Sequence, residues 1–144
     1  MLNFAKNNCI MDEIKIPLLV KSACKYIVKK EDTAIYQHSG EVSVLGTPRL
    51  LAIMEEVSYK SISEFLPQGV VSVGTEMNLQ HLRPSVVGEE LLCESILTEY
   101  KDRQLTFSVV VSDKRQKVAE CVCKRVIVDK QRFEQKAEKV ARGE

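Results

Sequence analysis

The stretch VLGTPRLLAIMEEVSYK (residues 44–60) combines the signals of a helix start with an apolar helix face that contains a carboxylate. Thr47 suits the N-cap of this helix and Pro48 suits its first helical position. On a helical wheel of about 100° per residue, one broad arc is apolar, and Glu55 falls inside it. Burying an unpaired charge is costly, so this carboxylate needs a partner or a function. Two interpretations stay open: Glu55 takes part in chemistry, or it lies at the edge of the arc and reaches water or an arginine.

Length and composition limit the classes of protein that the chain can belong to. A chain of 144 residues suits one domain with a sizeable core, and a formal net charge of +1 gives no strong attraction to nucleic acid or to an anionic membrane. No apolar run approaches the ~20 residues of a membrane span, and the N-terminus lacks the apolar core of a signal peptide, so we expect a cytoplasmic protein. An odd count of five cysteines predicts free thiols. With two histidines and no C-x-x-C pair, we expect no metal site.

The hydrophobic pattern changes period after the helix. It predicts a strand over residues 22–30, the helix over 48–66, and then an alternating strand over 71–81 whose apolar set ends at His81. Three further strands follow, joined by tight charged turns as in an antiparallel meander: residues 89–100, 104–112 and 116–128.

This order of elements predicts an α+β protein with the hot-dog fold, in which a curved antiparallel sheet of about five or six strands wraps a long central helix. The exposed sheet edges favour pairing with a second subunit, so we expect a homodimer or a dimer of dimers. We place the hot-dog domain at residues 21–130, between an N-terminal extension (residues 1–20) and a charged helical tail (residues 131–144).

Three polar side chains are predicted to meet where the helix face packs on the second strand. Glu55 and His81 are the ionisable residues on the two apolar surfaces, and Thr47 lies at the helix start. A carboxylate can orient an imidazole, and the imidazole can take a proton from a hydroxyl or from water. Each residue also has a structural interpretation, since a threonine before a proline is usually a cap and a histidine at a strand end is usually structural. Eight residues of helix span about 12 Å, so a substrate or the imidazole has to lie between Thr47 and Glu55.

Specific motifs carry a resemblance over residues 41–133. The segments VLGTPRLLAIMEE, VSVGTEMNLQHLRPSVVGEEL and KRVIVD occur in this order. In combination they resemble the fluoroacetyl-CoA thioesterase-like family of hot-dog proteins. The resemblance implies that the catalytic Thr-Glu-His set of the family falls on Thr47, Glu55 and His81.

The resemblance also implies substrate-binding roles for Gly74 and for the late arginine, Arg125. Gly74 has the opposite strand parity to His81, so either a bulge intervenes or the glycine backbone faces the acyl group. The alternative for Gly74 is strand curvature, and the alternative for Arg125 is a surface or interface salt bridge. We further expect Arg83 to meet the phosphates of CoA, or else to be a solvated turn residue.

The implied function is hydrolysis of a small acyl-CoA thioester, with no cofactor beyond the CoA of the substrate itself. The fluoroacetate-specific member has an aromatic lid before the helix, whereas Tyr36 is the only aromatic residue of this segment here, which argues against fluoroacetyl-CoA as the substrate. The alternative is an acyl-CoA-binding module or sensor without turnover. A hydratase on the same fold is disfavoured because the chain has no D-x-x-x-x-H signature.

Overall fold

A five-stranded antiparallel sheet and one long helix form the body of the protein. The computed structural model describes residue 11 and residues 13–144. The first ten residues of the expected N-terminal extension, and residue 12, lie outside the described residues. The elements in chain order are β1 (Lys21–Ile27), α1 (Thr47–Ser61), β2 (Val70–His81), β3 (Glu90–Lys101), β4 (Gln104–Ser112), β5 (Lys117–Asp129) and α2 (Lys130–Ala141).

The sheet confirms the expected hot-dog arrangement. Its strand order is β1-β3-β4-β5-β2, so β1 and β2 form the two edges. The central strands β3, β4 and β5 follow one another as a meander, while α1 is inserted between the two edge strands in the sequence. Leu50 and Met54 of α1 are fully buried against the inner face of the sheet, where Phe107 of β4 is also fully buried. The apolar arc of the helix is therefore the surface that packs on the sheet.

The predicted N-cap was wrong by one residue. Gly46 is the N-cap of α1, with extended backbone (φ −77°, ψ 143°), and Thr47 is the first helical residue. The hydroxyl of Thr47 does not cap the helix, because it is directed across to β2 instead. Thr47, which the sequence pattern predicts to be a helix cap, is therefore available for a role other than capping.

The helix also ends earlier than the predicted residue 66. α1 stops at Ser61, and a short 3-10 helix, Ser63–Phe65, follows it. The hydroxyls of Ser58, Ser61 and Ser63 each donate to a backbone carbonyl three or four residues earlier. Serine hydroxyls compete with the backbone in this way, which weakens the last helical turn.

The C-terminal helix α2 begins at a genuine cap, because the carboxylate of Asp129 accepts a hydrogen bond of 3.0 Å from the backbone N–H of Arg132. Its residues are exposed apart from the half-buried Arg132. Ile14 and Ile16, which precede β1, are buried in the core. None of the helices in the described part of the chain is long and apolar enough to cross a membrane.

Candidate active site

Thr47 and His81 meet at one end of the interface between α1 and β2. The Thr47 hydroxyl oxygen lies 2.9 Å from Nδ1 of the His81 ring, which is hydrogen-bonding distance. Thr47 is there because it opens α1, and His81 because it is the last residue of β2 on the inner face of the sheet. The predicted meeting of a hydroxyl and an imidazole is therefore present within a single chain.

The imidazole of His81 is held in an apolar setting that favours its neutral form. Its second ring nitrogen, Nε2, is buried and has no hydrogen-bond partner among the described residues. Burial lowers the pKa of His81 below its usual 6.5, and a backbone group of Arg83 opposes that shift. A neutral imidazole beside a hydroxyl is the arrangement that a general base requires.

Glu55 forms an ion pair with Arg125, and this arginine is the partner of its carboxylate. Arg125 Nη1 donates to Glu55 Oε2 at 2.7 Å, and the side chain of Glu55 is 34% exposed whereas that of Arg125 is 7% exposed. Arg125 also donates from Nε to the Ser72 hydroxyl at 2.9 Å and from Nη2 to the Ser72 carbonyl at 3.0 Å. These two hydrogen bonds to Ser72, one to its hydroxyl and one to its carbonyl, fix the guanidinium, and the guanidinium in turn fixes the Glu55 carboxylate. The interpretation that Glu55 reaches an arginine describes this contact.

Gly74 lies against the Glu55 carboxylate, on the same face of the sheet as His81. The pairing of β2 with β5 shifts register between Gly74 and Glu76, with Thr75 as the extra residue. A bulge therefore intervenes, which was one of the two alternatives left open for Gly74 and is now confirmed. A Cβ atom at this position would lie 2.6 Å from Glu55 Oε2 and 3.3 Å from Arg125 Nη1. Glycine is the residue that leaves room for the ion pair.

These residues lie along the interface between α1 and β2, and we call this stretch of the interface the acyl cleft, because the family resemblance implies that the acyl group binds there. One end holds Thr47 and His81, and the other holds Glu55, Arg125 and Gly74. The two ends are separated along α1 by about 12 Å, as eight helical residues require. The inner face of β2 between them carries two half-buried apolar side chains, Met77 and Leu79.

Thiols line the inner face of β5 beside this cleft, but they are not activated nucleophiles. Cys121 and Cys123 pair with Leu79 and Met77 of β2, and both thiols are free and buried, as predicted. Burial raises the pKa of Cys121 to about 11 and also raises the pKa of Cys123. Because the thiolate is the reactive form, neither cysteine offers a nucleophile near neutral pH.

Two residues of the site were not singled out from the sequence. Ser72 anchors Arg125, and the ring of Tyr59 lies 5.5 Å from the Arg125 guanidinium carbon. Sequence spacing could have found both residues. Tyr59 follows Glu55 by one helical turn and so shares its helix face, and Ser72 precedes Gly74 by two residues in the same strand. Arg83, expected to meet CoA phosphates, is exposed in the turn after His81, where its backbone N–H donates to the Val118 carbonyl at 3.2 Å.

Comparison with known structures shows that the fold is the hot-dog fold. FlK, a fluoroacetyl-CoA thioesterase, superposes with a TM-score of 0.83 at 16% identity, covering 87% of this chain and 97% of that chain. A Thermus thermophilus hypothetical protein of the thioesterase superfamily gives a TM-score of 0.81 at 19% identity, covering 89% and 95%. A hot-dog-like protein from Thermanaerovibrio acidaminovorans gives 0.79 at 20% identity, covering 96% of each chain. At these identities the likeness shows the fold.

The sequence itself narrows the class to one family. Residues 28–131 match the family of FlK, the fluoroacetyl-CoA-specific thioesterase, and this range is most of the 144-residue chain. The chain therefore belongs to the fluoroacetyl-CoA-specific thioesterase family, and it is a thioester hydrolase. Comparison with curated protein sequences gives no match.

Proposed function

We propose that this protein hydrolyses a small acyl-CoA thioester to the free acid and CoA in the acyl cleft. The observation that carries the proposal is the 2.9 Å contact between the Thr47 hydroxyl and Nδ1 of a partly buried His81. Variants of FlK have been solved with fluoroacetate and CoA and with acetyl-CoA, so relatives on this fold hold such ligands. The substrate supplies the CoA, and the proposed reaction uses no further cofactor.

The first half of the proposed mechanism takes place at the helix start. The thioester carbonyl lies at the N-terminus of α1, where backbone N–H groups and the helix dipole stabilise the developing oxyanion. Neutral His81 takes a proton through Nδ1, either from the Thr47 hydroxyl or from a water that occupies the same position. The new carbon–oxygen bond forms as the proton leaves. The carbon–sulfur bond then breaks, and the protonated His81 gives its proton to the leaving sulfur, which releases CoA as its thiol and restores the neutral imidazole. If Thr47 is the nucleophile, water attacks the acyl-threonine in a second round with the same base.

Glu55 has its proposed role at the opposite end of the cleft. Arg125 and Gly74 hold its carboxylate in one place, so we propose that it orients the acyl group or a water from a fixed position. Direct attack by Glu55 to form an anhydride is the alternative route.

The groups at the far end of the cleft support the proposal of a small acyl group. A long alkyl chain that starts at Thr47 meets the Glu55–Arg125 ion pair, and the Tyr59 ring lies against that guanidinium. Beyond Arg125 there is a separate cavity of about 450 Å³, lined by residues at the end of α1 and the start of β2. Because an alkyl chain gains little by burial against charged groups, we propose short acyl substrates.

The rest of the substrate and the assembly complete the proposal. We propose that Arg83, which is exposed two residues after His81, meets the CoA phosphates outside the cleft. Thr47 and Gly74 are exposed in the single chain, and β2 is an edge strand, so a second subunit that pairs along β2 covers the cleft. We therefore expect a homodimer, or a tetramer of two such dimers, in the cytoplasm.

Thiol release across a panel of acyl-CoAs tests the proposed function. We expect the wild type to release CoA from acetyl-CoA and other short acyl-CoAs, with kcat/KM falling as the chain extends beyond about four carbons. Ellman's reagent measures the released thiol. The absence of release from every chain length, together with tight binding of acyl-CoA by calorimetry, would contradict hydrolysis and favour the alternative, a binding module without turnover.

The pH dependence of the reaction provides a second test. His81 acts in its neutral form, and burial lowers its pKa, so we expect kcat/KM to reach a plateau on the alkaline side of an acid limb with an apparent pKa below 6.5. The lowered pKa of His81 also affects the free energy of unfolding. Between the folded pKa and 6.5, the unfolded chain binds more protons than the folded chain does. The contribution of neutral His81 to stability is therefore complete above pH 6.5 and is lost as the pH falls through the folded pKa. A pH profile of kcat/KM measures the limb. A limb centred above pH 7 would contradict the assignment.

A further inference from the structure

A buried carboxylate joins the start of α1 to β1 in a cluster that the proposed mechanism does not use. Asp32 is 4% exposed and belongs to the 3-10 turn Lys30–Asp32. Its carboxylate accepts hydrogen bonds from the Tyr26 hydroxyl at 2.7 Å and from Arg49 Nε at 3.1 Å. It also accepts one from the Lys29 backbone N–H at 2.8 Å. We call Tyr26, Asp32 and Arg49 the Asp32 cluster.

The Asp32 cluster holds the chain on both sides of Thr47. Before it, the Gly46 backbone N–H donates to the Asp32 carbonyl at 2.8 Å. After it, Arg49 is bonded to the Asp32 carboxylate and its guanidinium carbon lies 5.1 Å from the centre of the Tyr26 ring. Thr47 itself is exposed, so its own packing does little to fix it. The position of its hydroxyl therefore depends on these two attachments.

The packing at Gly46 makes the attachment stiff. A Cβ atom there would lie 3.0 Å from the Ser39 hydroxyl and 3.1 Å from the Ala34 backbone. The residue before Gly46 is held as well, because the Leu45 backbone N–H donates to the Ser85 carbonyl at 2.9 Å. A movement of the turn that carries Asp32 therefore also moves the backbone of Thr47.

We propose that Asp32 and Arg49 are positioning residues that set the Thr47 hydroxyl against Nδ1 of His81. The proposal rests on the proposed function, in which that contact carries the proton transfer. Buried ion pairs are weak evidence for stability, because desolvation offsets their attraction, so a role in fixing geometry accounts better for this one. Misplacing a reacting group by about 1 Å lowers rates by as much as a hundredfold.

Histidine nitrogen NMR tests the positioning role without any need for activity. The chain has two histidines, so protein labelled with ¹⁵N-histidine gives ring signals from His81 and His38 alone. Thr47→Ala removes the hydroxyl and shifts the His81 Nδ1 signal. We expect Arg49→Met to shift it in the same direction, and the double variant to show no further shift. A folded Arg49→Met protein whose His81 signal stays at the wild-type position overturns the proposal. If Arg49→Met does not fold, Arg49→Lys, which keeps the charge but loses the planar fork, is judged by the same criterion.

A double-mutant cycle with acetyl-CoA as the probe tests the link to catalysis. We expect Arg49→Met to lower kcat about tenfold in the wild-type background with KM nearly unchanged, and less than about twofold in the Thr47→Ala background. Arg115→Met is the matched control, since it removes an ion-paired arginine on the β4–β5 turn, and it should keep the wild-type kcat. Equal losses in both backgrounds overturn the positioning role, because they show general damage. If the wild type itself releases no CoA, the proposed function fails, while the NMR comparison still decides the geometry.

Discussion

Replacing His81 with alanine is expected to lower kcat for thioester hydrolysis by about 10²- to 10⁴-fold, the range attributed to a positioned general base. The Thr47 hydroxyl then loses the acceptor that lies 2.9 Å away, and neither it nor a water in its place can give up a proton at neutral pH. His81 stands at the last position of an edge strand, so we expect the variant to remain folded.

The matched control for this experiment is the other histidine of the chain. His38 is exposed in the loop before α1, and we expect His38→Ala to retain the wild-type kcat. Thiol release at pH 8 from the best acyl-CoA of the panel measures all three proteins, and circular dichroism checks their folding. A folded His81→Ala protein with a kcat within twofold of wild type would remove the base from the mechanism.

Adding a single methyl group at Gly74 is expected to lower kcat by about 10²-fold and also to lower the melting temperature, because the buried Arg125 loses its contact with Glu55. The new Cβ would lie 2.6 Å from Glu55 Oε2, so the carboxylate has to move, and Arg125, held by two bonds to Ser72, cannot follow it freely. Displacement of a positioned group by about 1 Å costs up to a hundredfold in rate. Steady-state kinetics and thermal melting measure the two effects separately.

Two variants separate the displacement of Glu55 from other effects of the methyl group. Gly40→Ala makes the same chemical change where the new Cβ meets only the Ala34 methyl group, at 3.2 Å, and it should keep nearly the wild-type kcat. In the Glu55→Ala background, Gly74→Ala should have no further effect on kcat, because the displaced group is gone. A tenfold further loss in that background would place the effect of Gly74 somewhere other than Glu55.

The fold could be predicted because its signals are local and periodic. The alternation over residues 71–81 and the turn at residues 101–103 defined strands that the structure places within about two residues of the prediction. The helix end was missed because three serine hydroxyls bond to carbonyls of the preceding turn, and helix periodicity does not record such bonds.

The site was harder to predict because its geometry depends on pairings distant in the sequence. The carboxylate of Glu55 stood out on the helical wheel, but its partner Arg125 is 70 residues away, and only the β2–β5 register brings Ser72 to the same guanidinium. The bulge at Thr75 likewise follows from register, so strand parity alone left the orientation of Gly74 open. The Asp32 cluster was not predicted, since it joins three elements through one buried carboxylate.

The most direct test of the acyl cleft is a crystal structure with a hydrolysis-resistant acetyl-CoA analogue in which a methylene group replaces the thioester sulfur. We predict that the analogue's carbonyl carbon lies within about 4 Å of the Thr47 hydroxyl, that its oxygen faces the first turn of α1, and that its methyl group points toward Glu55 and Gly74. An analogue bound with its carbonyl group away from Thr47 and His81 would contradict the proposed active site.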